Sequence, residues 1–328
     1  MKVLLNIKCR DTFGASIVTD EGEILSDVRA TYTTDKGGII PSDAANHHKK
    51  IKDEVIKKAI EESKISEKEI TIISFSQSPG LPLSLAVGKN TAIELAKKLK
   101  VPLIPVNHLI SHLEIGRLLT KAKDPVFILA TGANTQIIAL EGNRYRIFGE
   151  ALTIGIGNAL DKFGREINLG FPSGPKIEEL AKSGKYIDLP YVVKGMDIEF
   201  SGIITKAIHL FKQKKASKED LCFSLQETLF SMLTEVSERA LAHIGKNELL
   251  LIGGVAANKR LINMLELMCR DRNAKFYVVP LKYSGDNASM IGWTGILQYK
   301  SNSEYYKNLN EIDIKPRQRI DEINVSWI

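Results

Sequence analysis

The chain has 328 residues, 44% of them hydrophobic, enough to bury two cores. No apolar run reaches membrane-span length, and Met1 to Lys8 lacks both the apolar stretch and the cleavage site of a secretory signal. The net charge of +6 and isoelectric point of about 9.0 suit a polyanionic partner without identifying one. Cys9, Cys222 and Cys269 are far apart, and none forms a CxxC pair. They argue for a reducing cytoplasm and against a disulfide framework or a structural zinc finger.

In chain order, strands are predicted at 3–7, 15–19 and 23–28, with Thr12-Phe-Gly14 joining the first two. Ser42 and Asp43 cap a helix over 44–63, 70–75 is a buried strand, and Ser84 starts a helix running to Lys100. A strand at 101–106 and a helix after Asn107 follow. From Asp124-Pro125 the pattern restarts: strands at 126–131, 135–140 and 145–148, then helices near 157–169, 174–183 and 218–245. A strand at 248–252, a helix from Ala256, a strand at 275–279 and a helix from Asn287 complete it. Both halves open with a glycine-turned hairpin and then alternate strands with helices, which predicts a duplicated α/β fold with a cleft between two lobes. The expected division is 1–125, 126–300 and a tail, 301–328, that packs back on a lobe.

The chemistry concentrates at His108-Leu-Ile-Ser-His112. Imidazoles four residues apart on a helix point the same way and can grip one metal ion, although the same spacing also fits a half-exposed helix face. Asn107 is a good N-cap, and a ring in the first turn is disfavoured as imidazolium, so it stays neutral and able to ligate. Asp286, in Ser284-Gly-Asp-Asn287, can supply a distant carboxylate, giving two histidines, one carboxylate and open positions. Two glycine turns suit a nucleotide: Thr131-Gly132-Ala133-Asn134 at a hairpin tip, and Gly253-Gly254 between a strand and a helix. Neither a P-loop nor a dinucleotide fingerprint is present. Asp161 fits a ribose contact or a helix-dipole partner. The loop Pro172-Ser-Gly174-Pro-Lys-Ile-Glu178 could clamp a sugar or simply turn the chain. The lysine runs at 49–52, 57–58, 97–100 and 212–215 read as solvated helix faces, with no interleaved aromatic residues to stack RNA bases.

Taken together and in order, these stretches have a known likeness. They include Gly37-Gly38-Ile-Ile-Pro41, Ala44-Ala-Asn-His47-His48, Phe75-Ser-Gln-Ser-Pro79-Gly80 and Asn107-His108-Leu-Ile-Ser-His112. Further along stand Gly157-Asn158-Ala-Leu-Asp161-Lys-Phe, Phe200-Ser-Gly202, Gly253-Gly-Val-Ala-Ala-Asn258 and Gly285-Asp286-Asn287. The chain resembles the tRNA N6-threonylcarbamoyladenosine transferase family, in the form of the archaeal and eukaryotic KEOPS catalytic subunit. The resemblance implies the two-lobed fold of actin, Hsp70 and sugar kinases. It implies transfer of a threonylcarbamoyl group from threonylcarbamoyl-adenylate to an adenosine beside the tRNA anticodon. It implies one divalent metal, iron or zinc, on His108, His112 and Asp286, and nucleotide contacts at Leu129, Ala130, Thr131, Gly132, Ala133, Asp161, Gly174, Glu178 and Asn258. An ATP- or AMP-like nucleotide fits the same pocket. The implied partners are tRNA, a kinase-like subunit, a small dimerising subunit and a further small subunit, with no membrane.

Several positions depart from the family pattern. Lys8 stands where the family carries an acidic residue, and Leu129 where the archaeal members carry a metal-contacting tyrosine. Ala133 and Ser173 replace glycines, Ile40 replaces a histidine, and an arginine is missing near Ala86. These departures raise a second reading, a non-catalytic paralogue that binds partners, nucleotide or tRNA. A kinase or ATPase of the same fold suits the His pair less well.

Overall fold

The structure, a computed structural model, describes residues 3–9, 12–33, 40–301, 309 and 312–328. Arg10, Asp11 and the Gly37-Gly38-Ile39 part of one motif lie outside the described residues. The chain forms two compact units. The first comprises Met1–Leu118, Gly142–Tyr145 and Asp286–Ile328; the second comprises Leu119–Glu141 and Arg146–Gly285.

In chain order the first unit contains β1 (Val3–Cys9), β2 (Thr12–Thr19), β3 (Ile24–Thr31), α1 (Pro41–Ser63), β4 (Ile70–Ser78), α2 (Pro82–Leu99), β5 (Leu103–Asn107) and α3 (His108–Thr120). The next stretch holds β6 (Val126–Ala130), β7 (Thr135–Glu141), β8 (Arg144–Glu150), α4 (Ile156–Glu166), α5 (Gly174–Ala181), β9 (Val193–Lys194), β10 (Asp197–Ile198), α6 (Ser201–Lys212) and α7 (Lys218–Ile244). It continues with β11 (Glu248–Ile252), α8 (Lys259–Asp271), β12 (Lys275–Val278) and the single turn α9 (Leu281–Ser284). Helix α10 (Ser289–Ser301) returns to the first unit.

The two five-stranded sheets have the same plan. Their strand orders are β3-β2-β1-β4-β5 and β8-β7-β6-β11-β12. In each, three sequential strands that open with an antiparallel pair are extended by two parallel strands on the far side of the first. The parallel strands read as nearly continuous buried runs, as a sheet covered on both faces requires. On β1, Val3, Leu5, Ile7 and Cys9 enter a core shared with α1 and α2. The alternation of side chains sends Leu4, Asn6 and Lys8 to the opposite face, where α10 packs. Asn6 is locked there, donating from Nδ2 to Ser16 O at 3.2 Å and accepting from Ser74 Oγ at 2.7 Å. A Cβ on Gly292 would lie 2.2 Å from that amide, so a glycine lets α10 approach β1 closely.

Three expectations change. Helices α1 and α2 start at Pro41 and Pro82, with Ile40 and Leu81 as caps and no side-chain cap bond, instead of after Ser42–Asp43 and at Ser84. A proline has no N–H to orphan in the first turn and its φ is already helical, so it displaces a hydroxyl start signal. Thr12–Gly14 is strand, not connector. Residues 286–300, expected with the second lobe, belong to the first unit because α10 packs on β1, β2, β4 and β5. The lysines at 49, 50, 57, 58, 97, 98, 212, 214 and 215 are exposed on helix faces or just beyond a helix end, some near acids one turn on, such as Lys57–Glu61 at 3.7 Å. Among the described residues no helix is long and apolar enough to cross a membrane.

In the second unit, β11 turns at Gly253, whose φ is +105°. A Cβ there would lie 2.2 Å from Ala130 O on the neighbouring β6. Gly253→Ala is therefore expected to lower stability by at least about 2 kcal/mol, from left-handed strain plus a backbone clash. A guanidinium unfolding midpoint that does not move would contradict this.

Candidate metal centre and nucleotide positions

Strand β5 ends at Asn107, whose Oδ1 accepts the backbone N–H of Leu109 at 2.9 Å and of Ile110 at 3.0 Å. This cap satisfies two otherwise unpaired donors and fixes the first turn of α3. His108 and His112 then lie one above the other on one face, both buried, with ring centroids 4.8 Å apart. Asn287 does the same for α10, its Oδ1 accepting Met290 N–H at 2.8 Å, and Asp286 immediately precedes this cap. The carboxylate Oδ1 of Asp286 lies 3.4 Å from His108 Nε2 and 3.1 Å from His112 Nε2. All three candidate ligand atoms fall within 4.8 Å of one another. Two buried imidazole nitrogens and one carboxylate oxygen so disposed fit a first-row divalent ion with positions left for substrate.

The sequence marks Lys8 as a charge reversal but does not reveal its partner. Its Nζ lies 2.6 Å from the other oxygen of Asp286, Oδ2, and its side chain is fully buried. Burial alone would raise the Asp286 carboxyl, yet the Lys8 ammonium and His108 outweigh it and hold the group well below the usual carboxylate range.

Two residues beyond His112 sits a buried carboxylate. Glu114 accepts from Tyr145 OH at 2.7 Å and from Trp327 Nε1 at 2.9 Å, and Arg117 lies 3.4 Å away. Burial pushes its carboxyl up despite Arg117 and these donors, and pushes the Tyr145 phenol up further. The tail also reaches the other end of α3: Gln318 Oε1 accepts from Ser78 Oγ at 2.6 Å, and Asn107 Nδ2 donates to that hydroxyl at 3.1 Å. Sequence spacing carries no sign of these contacts, since each joins residues far apart in the chain.

The nucleotide candidates all lie in the second unit. Leu129 is buried in β6 and carries no ligating atom, whereas Gly132 and Ala133 are exposed at the β6–β7 turn. The start of α4 is tied to this turn, with Gly157 and Asn158 donating backbone N–H groups to Thr131 O and Gly132 O. Asp161 Oδ1 accepts Ser173 N–H at 2.7 Å, which holds the loop next to Gly174. Glu178 Oε1 accepts Lys259 N–H at 2.8 Å. Asn258 caps α8 through Oδ1 and donates from Nδ2 to Gln226 Oε1 at 3.2 Å. Asp161 is thus tied to the loop beside Gly174, and Glu178 to the residue after Asn258.

A family model described as tRNA N6-adenosine threonylcarbamoyltransferase matches residues 23–293. The chain belongs to this family. A transferase of that name from Thermococcus sibiricus is 49% identical over 317 residues, 96% of this chain and 97% of the relative. A "probable bifunctional tRNA threonylcarbamoyladenosine biosynthesis protein" from Methanosarcina mazei is 51% identical over 96% of this chain, which spans 57% of that longer protein. Among solved structures, T. kodakarensis HypF superposes with a TM-score of 0.64 at 14% identity, over 91% of this chain and 48% of HypF. The activator of 2-hydroxyisocaproyl-CoA dehydratase from Clostridium difficile gives 0.55 at 13% identity, over 93% and 98%. These likenesses show the fold, the duplicated α/β plan of actin, Hsp70 and sugar kinases.

Removing the donor nitrogen in Trp327→Phe leaves buried Glu114 one hydrogen bond short. The expected loss is about 1–3 kcal/mol. Urea unfolding followed by circular dichroism measures it, and a loss below a few tenths of a kcal/mol would remove the tail from the support of α3.

Proposed function

We propose that this chain transfers a threonylcarbamoyl group from threonylcarbamoyl-adenylate to N6 of the adenosine next to the anticodon, in tRNAs reading A-starting codons. The observation that carries this reading is the clustering of buried His108 and His112 with half-buried Asp286, at the positions where the family resemblance puts the metal ligands. Overall, the adenosine nitrogen bonds to the carbamoyl carbon, the bond to the phosphate oxygen breaks, and AMP leaves. His108 Nε2, His112 Nε2 and Asp286 Oδ1 would hold one divalent ion, iron or zinc. When bound, such an ion supplies Lewis acidity and an anchor for substrate oxygens. The backbone at 129–133 offers amides for the phosphate. Asp161 and Glu178 offer carboxylates for hydroxyl donors, and Gly174 a close backbone approach. Asn258 would contact the nucleotide while keeping its capping role. Orienting donor and acceptor is the larger part of what these residues contribute.

The proposed setting is the cytoplasmic KEOPS assembly, with a kinase-like subunit, a small dimerising subunit and a further small subunit, and with a separate enzyme making the adenylate. A second reading, a non-catalytic paralogue that binds the same partners, is favoured by one observation, the Lys8 ammonium on the candidate ligand Asp286.

Labelled threonine supplied with the adenylate-forming enzyme, the partner subunits and unmodified tRNA is expected to enter tRNA only when this chain is present. Asp286→Ala is expected to reduce incorporation by roughly a hundredfold or more with tRNA binding intact. Background incorporation by the wild type, with partner binding preserved, would establish the second reading. If the exposed lysines contact phosphates, tRNA affinity should fall linearly with salt on a logarithmic plot. A flat plot would assign tRNA recognition to other subunits.

A further inference from the structure

Lys8 is fully buried, its Nζ 2.6 Å from Asp286 Oδ2, while Asp286 Oδ1 lies beside both imidazoles. A buried ammonium persists only when paired, and this one is paired with a candidate metal ligand. The carboxylate is therefore shared between a cation that the chain itself supplies and the position where an added cation would sit.

We infer that Lys8 is a resident cation of this centre and lowers its affinity for a divalent ion, so that the site loads only at elevated metal concentration. This rests on His108, His112 and Asp286 being the ligand set. Two effects oppose each other. By fixing the carboxylate, Lys8 acts as an orienting outer-shell partner, a role typically worth about 10–100-fold in metal affinity. Against this stands repulsion between an ammonium and a dication bound to one carboxylate. At a separation of roughly 5 Å and an effective dielectric near 20, that repulsion amounts to several powers of ten before screening. Charge therefore outweighs orientation. The placement is built into the fold: β1 alternation turns Lys8 to the α10 face, and the close approach allowed by Gly292 brings Asp286 there. Lys8 also withdraws negative charge from the one anionic ligand, which weakens the preference for a dication over a monocation. The centre is thereby made an exchangeable site rather than a permanently filled one.

The test is metal affinity, read without any turnover. The full chain is stripped and titrated with Zn2+, and anaerobically with Fe2+, against a chromophoric chelator. Lys8→Met is expected to tighten binding at least about tenfold, with Lys8→Glu tighter again. Lys8→Gln provides a second neutral variant should the methionine disturb folding, and the metal-induced rise in Tm should be larger in each variant than in the wild type. Equal or weaker binding in the neutral variants that remain folded overturns the inference. His108→Ala and His112→Ala placed together in the Lys8→Met background should abolish the tight site. Tight binding that survives them would show that the ligand assignment itself, rather than the role of Lys8, is wrong.

Discussion

The Asp286 carboxylate is half-buried and bonded on both oxygens, and much of the first unit serves to hold it so. It can be there only if α10 lies close on β1, which requires a glycine at 292 against the locked amide of Asn6. It can face the imidazoles only if α3 begins at its observed residue, which the Asn107 cap secures. The ion pair with Lys8 offsets the desolvation of both groups, but breaking it from either side would leave an uncompensated charge in the interior. Structural demand and chemical availability thus compete for the same carboxylate, and the balance between them sets how the centre behaves.

The second unit works on a different principle. Its candidate substrate positions are already occupied by structural hydrogen bonds: Asp161 with Ser173, Glu178 with Lys259, and Asn258 with its own helix. Such bonds fix loop and helix ends before any ligand arrives, lowering the ordering that binding must impose. They also mean that substitution there would disturb architecture and recognition together. A clean separation of the two is more accessible at the exposed Gly132–Ala133 turn.

Much of this was legible in the chain. The alternation of buried strands and helices, the restart near residue 125 and the Asn107 cap follow from local periodicity and from one side chain's reach. The 27-residue α7 was legible for the same reasons, with Ser217 capping its start and Gly245 at a φ of 72° ending it. Helix α6 was missed because its N-cap is Phe200, which offers no side-chain cap, so no start signal precedes it. The β9–β10 hairpin was missed because two-residue strands carry no periodicity. At the centre, the His pair was visible because its partners are four residues apart. The Lys8 charge was visible as a departure, but its pairing with residue 286 was not. The Glu114–Tyr145–Trp327 cluster was likewise invisible, since no local rule joins those three positions.

Both units are discontinuous in sequence, and the two segments of the second fall between the first and last segments of the first. During synthesis, β1 to β5 leave the ribosome early, yet the face carrying Asn6 and Lys8 receives α10 only after the whole second unit has emerged. Trp327, the donor to Glu114, comes later than α10. Folding is therefore expected to close backwards, with the first-made sheet completed after the later-made unit. A stop codon falling between Val279 and Asp286 would then strike the earliest part of the molecule, stranding the β1 lysine without its carboxylate while leaving the second unit's own strands intact.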